Sequence, residues 1–210
     1  MTMKFHLTPR PRKRHVLIGG DPALDFINTL DWRFRSKGPE EFLTSHARLV
    51  EFARATTKPP RWGSYDRQYP MSREEARRAL LDAWKVRESL AEMCYAAVDG
   101  REAIFSDGNW YPFHEARSRG ITNWISNETS YIQHEWPGEQ GMKHGAELPL
   151  WMITLQVSKF LKSPDFAKIK ACANAECRRL FLDRSVNQRR RWCKMSRCGS
   201  RAKAQTFNAR

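Results

Sequence analysis

Four of the five cysteines fall in two pairs, Cys172 with Cys177 and Cys193 with Cys198, while Cys94 stands alone. The pattern reads C-x4-C, fifteen residues, C-x4-C. A tetrahedral zinc ion takes two thiolates from each of two tight turns, and a loop of this size folds back to close the sphere. Two disulfides or four buried thiols are the alternatives. Disulfides do not suit a reducing compartment, and buried thiols explain neither the pairing nor the Arg and Lys residues among them. The spacing therefore predicts one zinc ion per chain. Four thiolates leave no position open for water, so the metal is expected to be structural rather than catalytic. His6, His15, His46, His114, His134 and His144 all lie outside the cluster.

The charge follows the cysteines. The chain carries +14 overall. Residues 168–210 hold thirteen Lys and Arg against Glu176 and Asp183, and residues 1–14 add five cations and no acid. Residues 15–167 are nearly neutral. A zinc ion with four thiolates contributes −2, which still leaves the C-terminal segment strongly basic. Such asymmetry points to a polyanionic partner. The candidate nucleic-acid contacts are Arg178, Arg179, Arg184, Arg189, Arg190, Arg191, Lys194, Arg197, Arg201 and Lys203. Trp192 could stack on a base, but beside Cys193 it reads first as finger core, as do Phe181 and Leu182.

A second constellation lies near the start. Asp25, Asn28 and Asp31 are three residues apart, which places them roughly along one helical face. They either line a ligand pocket for a small-molecule effector or cap and brace a first helix packed into the core.

The elements that must position these groups are mostly helical. Asp21-Pro22 opens a first helix, with Asp21 as cap and Pro22 at its first position. A second helix is expected from near Pro39, with Phe42, Leu43, Leu49, Val50 and Phe52 as its apolar residues. Lys58–Gly63 reads as a loop. Ser72 and Glu75 form a capping box ahead of an amphipathic run that Gly100 ends. Cys94 falls on that run's apolar face and should be a buried thiol. Thr129 to Trp136 alternates weakly, as in a small hairpin. Ala146 to Leu161 is helical again, and Asp165 to Lys170 forms a last turn leading to the cysteines. The fold class is thus a mainly α N-terminal domain with a small β element, plus a small four-cysteine zinc finger. The divisions are 1–14, a basic arm; 15–167, the helical domain; and 168–210, the finger with its basic tail. No run reaches the roughly 20 apolar residues of a membrane helix. The basic start is followed by only Val16-Leu17-Ile18 before Gly19-Gly20, too short for a signal sequence, so a cytoplasmic location is expected.

Leu180–Ser185, Arg190–Met195 and Cys198-Gly199-Ser200-Arg201-Ala202-Lys203 together resemble the CGNR zinc-finger family. Gly19-Gly20-Asp21-Pro22-Ala23-Leu24-Asp25-Phe26-Ile27-Asn28-Thr29 is similar to the opening of the ABATE domain, which accompanies that finger in bacterial proteins. The resemblance implies a stress-induced transcription regulator. Ser200 stands where that family's namesake motif has Asn. A hydroxyl replaces some hydrogen bonds of an amide but not its donor pair.

A DNA-binding regulator is the leading reading, with a helical body that senses an effector or forms a homodimer. An RNA-binding module and a finger that docks on an acidic protein are the alternatives. A nucleic-acid-processing enzyme ranks below them. No motif sets a nucleophile beside a base or gathers carboxylates around an open metal, so no catalytic residue is assigned.

Overall fold

The computed structural model describes residues 17–57, 71–103 and 145–208. The basic arm, the Lys58–Gly63 loop and the hairpin expected at Thr129–Trp136 lie outside the described residues. Among the described residues the architecture is mainly helical, with two small two-stranded sheets. Two compact units divide the chain. One lies within residues 43–169, and the other joins residues 17–42 with residues 170–208. Residues 17–42 thus fold with the finger rather than with the three helices.

Among its described residues, the unit of residues 43–169 has three α-helices, α2 (His46–Thr56), α3 (Arg73–Asp99) and α4 (Leu148–Leu161). Its core comprises Leu49, Phe52, Ala83, Val86, Leu90, Ile153, Val157 and Phe160, all essentially inaccessible. The capping box closes as its sequence predicts: Glu75 N–H donates to the Ser72 hydroxyl, and Ser72 N–H donates to the Glu75 carboxylate. Gly100 ends α3 in the left-handed conformation at φ 63°, which costs glycine nothing. Cys94 is buried on α3 and forms no disulfide. Trp84 fixes the entry to α2 by donating its indole N–H to the Leu43 carbonyl at 3.1 Å.

The second helix does not begin near Pro39. Glu40–Glu41 instead form a strand, β2, paired antiparallel with β1 (Leu30–Asp31). The chain then turns, and Ser45 caps α2 by accepting from Arg48 N–H. Strand pairing satisfies the backbone at Glu40 and Glu41 and so delays the helix.

The other unit starts with α1 (Pro22–Ile27), capped by Asp21, whose carboxylate accepts from Ala23 N–H at 2.8 Å. Gly19 passes so close to Leu24 that a Cβ there would lie 2.8 Å from the Leu24 Cβ. A short 3-10 turn (Pro164–Lys168) leads into β3 (Ile169–Ala171), which pairs with β4 (Leu180–Leu182). A wide turn over Met195–Gly199 then runs into α5 (Ser200–Asn208). Helix α1 packs on β4 with Ala23, Leu24, Phe26 and Ile27 fully buried.

Candidate metal centre and nucleic-acid interface

The four cysteines converge. Cys172 follows β3, Cys177 closes the turn towards β4, Cys193 precedes the wide turn before α5 and Cys198 lies within it. Cys172 N–H donates to the Arg179 carbonyl at 2.9 Å and Cys177 N–H to the Asn174 carbonyl at 3.0 Å, which shapes the first pair into a knuckle. All four sulfurs are buried and lie within 4.8 Å of one another. A zinc ion with bonds of about 2.3 Å makes a tetrahedron with edges of about 3.8 Å. The Sγ atoms of Cys177 and Cys193, and those of Cys193 and Cys198, are 3.7 Å apart. A disulfide would need about 2.05 Å. The donor set fits one structural zinc.

Sulfurs this close cannot all ionise unless a cation offsets their charge. Hydrogen bonds from Cys177 and Cys193 pull Cys172 down to about 2. The bond to Cys172 pushes Cys177 far up and, with burial, holds Cys193 at about 12. Burial pushes Cys198 up to about 12.

Around the sulfurs sits a shell that spacing does not reveal. Trp32, Phe181 and the four cysteines form one buried cluster, with Ile18 and Trp192 packed against it. Trp32 takes φ 50°, and its ring carries the guanidinium groups of Arg197 and Arg201, each 4.8 Å from the centroid. Next to it Asp31, 1% exposed, receives Arg179 as a fork. Nε donates to Oδ1 at 2.7 Å and Nη2 to Oδ2 at 2.5 Å. Arg197 adds a third contact to the same carboxylate at 2.9 Å. Asn28 covers the free edge of β4. Its amide donates to the Leu180 carbonyl at 2.9 Å and its carbonyl accepts from Leu180 N–H at 3.0 Å. Leu182 N–H completes that edge on the Gly19 carbonyl. Asp25 accepts from Ile18 and Gly19 N–H at 2.8 and 2.7 Å. Burial raises its pKa to about 6, and those two N–H groups pull the other way.

Asp25, Asn28 and Asp31 therefore do not share a helical face. Helix α1 ends at Ile27 and Asp31 lies on β1, so only Asp25 is helical. All three side chains bind atoms of their own unit.

The ten basic candidates also separate. Arg179 is 3% exposed, and its fork is engaged by Asp31. Arg197 is half-buried on Asp31 and Trp32. Arg190 lies over the Phe181 ring at 4.1 Å and donates to the carbonyls of Trp192 and Cys193, so it ties the finger's backbone together. Arg178 is half-buried over the Phe34 ring. Arg184, Arg189, Arg191, Lys194, Arg201 and Lys203 are exposed. Arg189, Arg191 and Lys194 line a groove of about 660 Å³ with Ile18, Trp192 and Met195. Ser200 donates its hydroxyl to the Met195 carbonyl at 3.2 Å, so it closes the turn after the last ligand.

Residues 168–210 match the CGNR zinc-finger family model. Residues 20–150, more than half of the chain, match the ABATE model, described as "Putative stress-induced transcription regulator". The chain belongs to the ABATE family. Both descriptions are regulatory or structural, and neither names a reaction. No curated protein matches this ABATE chain. Among its described residues, no helix is long and apolar enough to cross a membrane.

Proposed function

We propose that this ABATE-family protein is a cytoplasmic transcription regulator that binds duplex DNA through its zinc-finger unit and is not an enzyme. One observation carries the reading. Six exposed cations, Arg184, Arg189, Arg191, Lys194, Arg201 and Lys203, stand on a frame held rigid by four converging thiolates. Cations carried on a fixed backbone suit phosphate contacts, since little backbone ordering remains to oppose binding. Contact with four to six phosphates predicts a log–log salt slope of about −4 to −5. A single finger buries little surface, so useful selectivity calls for a second copy or for the basic arm at Arg10–Arg14. The helical unit of residues 43–169 is where dimerisation or effector sensing would reside.

The test is DNA binding across a salt series with Arg189→Ala, Arg191→Ala and Lys194→Ala combined and Arg190 left intact. The expected result is weaker binding to every sequence and a slope lowered by about 2 to 3. Unchanged affinity at every salt concentration would remove this surface from the interface and favour protein docking. Tighter binding to single-stranded or duplex RNA than to DNA would favour the RNA reading.

A further inference from the structure

The loop from Arg184 to Arg189 has an unusual combination of rigidity and exposure. Every one of its residues is exposed, and Val186 at its middle is 100% accessible. A lone exposed apolar residue needs no explanation. This one sits on a braced loop. Asp183, 1% exposed, holds both ends. Its Oδ1 accepts from Ser185 N–H at 3.1 Å and from the Ser185 hydroxyl at 2.5 Å. Its Oδ2 accepts from Arg190 N–H at 3.0 Å and from the Lys170 ammonium at 2.8 Å. Lys170 also reaches the Gln188 carbonyl, and Gln188 N–H returns to the Ser185 carbonyl at 3.0 Å. Gln188 takes φ 46°, which turns the chain back towards the finger.

The tip thus presents Val186, Asn187 and Gln188 between two arginines. Two side-chain amides offer paired donors and acceptors, the pattern that matches the N6 and N7 edge of adenine in the major groove. An apolar branched side chain beside them matches the thymine methyl group, which projects into the same groove. The flanking Arg184 and Arg189 are exposed on either side of that tip. The brace means the loop pays little ordering entropy on entry.

We propose that the Arg184–Arg189 loop enters the major groove of duplex DNA and selects adenine–thymine pairs through Asn187, Gln188 and Val186. This rests on the DNA-binding reading above, and it divides the finger into a loop that selects sequence and a surrounding set of cations that holds phosphates.

The experiment is selection of bound sites from a random duplex pool by the full-length, zinc-loaded chain, repeated with Val186→Ser combined with Asn187→Ala. That pair leaves the left-handed Gln188 in place, and zinc stoichiometry with an unchanged circular dichroism spectrum verifies the fold. The wild type should select sites containing fixed adenine–thymine pairs. The variant should lose roughly 5- to 150-fold of that discrimination at the contacted position while keeping the wild-type salt slope. Replacing thymine by uracil at that position should weaken the wild type and leave the variant unmoved. A variant with undiminished preference overturns the proposal and leaves DNA binding intact, as does a wild type that binds duplexes without preference. A wild type that binds no duplex at all overturns both readings.

Discussion

Asp31 pairs with two guanidinium groups at once, and one of them, on Arg179, is nearly inaccessible. Asp31→Ala would leave that charge buried without compensation, so the expected loss is about 3–5 kcal/mol. Denaturation of the zinc-loaded protein followed by tryptophan fluorescence measures it, and a loss below about 1 kcal/mol would show that the pair holds little. Asp25 acts in the opposite sense. Its folded pKa, about 6, lies above the ordinary 3.8, so folding favours the protonated form. That contribution is fully present below pH 3.8 and is lost as pH rises through about 6. Asp25→Asn stays neutral throughout. Relative to wild type it should gain roughly 3 kcal/mol between pH 3.8 and pH 7, measured as the difference between two stability profiles. A flat difference across that range would count against it.

The helix starts and stops show why some elements are readable in sequence and others are not. Ser72, Glu75 and Gly100 act within a few residues of where they stand, so α3 was legible in full. Ser72→Ala should cost about 1 kcal/mol, read as a lowered melting midpoint for the helical unit. The four ligands were equally legible, because metal geometry fixes spacing along the chain. What decides β2 is a partner strand ten residues back, and no local signal at Pro39 announces it. Ser45, the cap that does start α2, is followed by Arg48 rather than Glu or Gln, so its box is missing. The side-chain partners of Asn28 and Asp31 are hidden from the sequence for the same reason. Their partners Leu180, Arg179 and Arg197 lie 148 to 166 residues away, and an i, i+3 rule sees only the local face. The cations around the cysteines were legible as a charge, but which ones turn inward depends on Asp31, Trp32 and Phe34 from the other end of the chain and, for Arg190, on the Phe181 ring.

Because residues 17–42 complete the finger, a fragment of residues 168–210 should lack the edge cover, the acid and the indole that the intact protein provides. It should bind zinc more weakly than the whole chain in a chelator competition. Removing the metal from the intact protein, or making Cys193→Ser, should release residues 17–42 together with 170–208. The core of α2, α3 and α4 contains none of the ligands and should persist. Hydrogen exchange resolves the two outcomes by segment. Continued protection of residues 17–42 without metal would mean that α1 and its neighbours hold together by apolar packing alone.

The origin of the finger unit in two distant stretches also sets an order of events at the ribosome. Residues 17–42 emerge first, yet β4, Arg179 and the ligands follow only after residues 43–169 have been made. At roughly 5–20 residues per second that interval is on the order of 10 seconds. Throughout it Phe26, Ile27 and Trp32 have nothing to pack against from the C-terminal stretch, and Asp31 has neither of its arginines. Those side chains wait uncovered by their C-terminal partners, and the four-sulfur site is complete only once synthesis has passed Cys198.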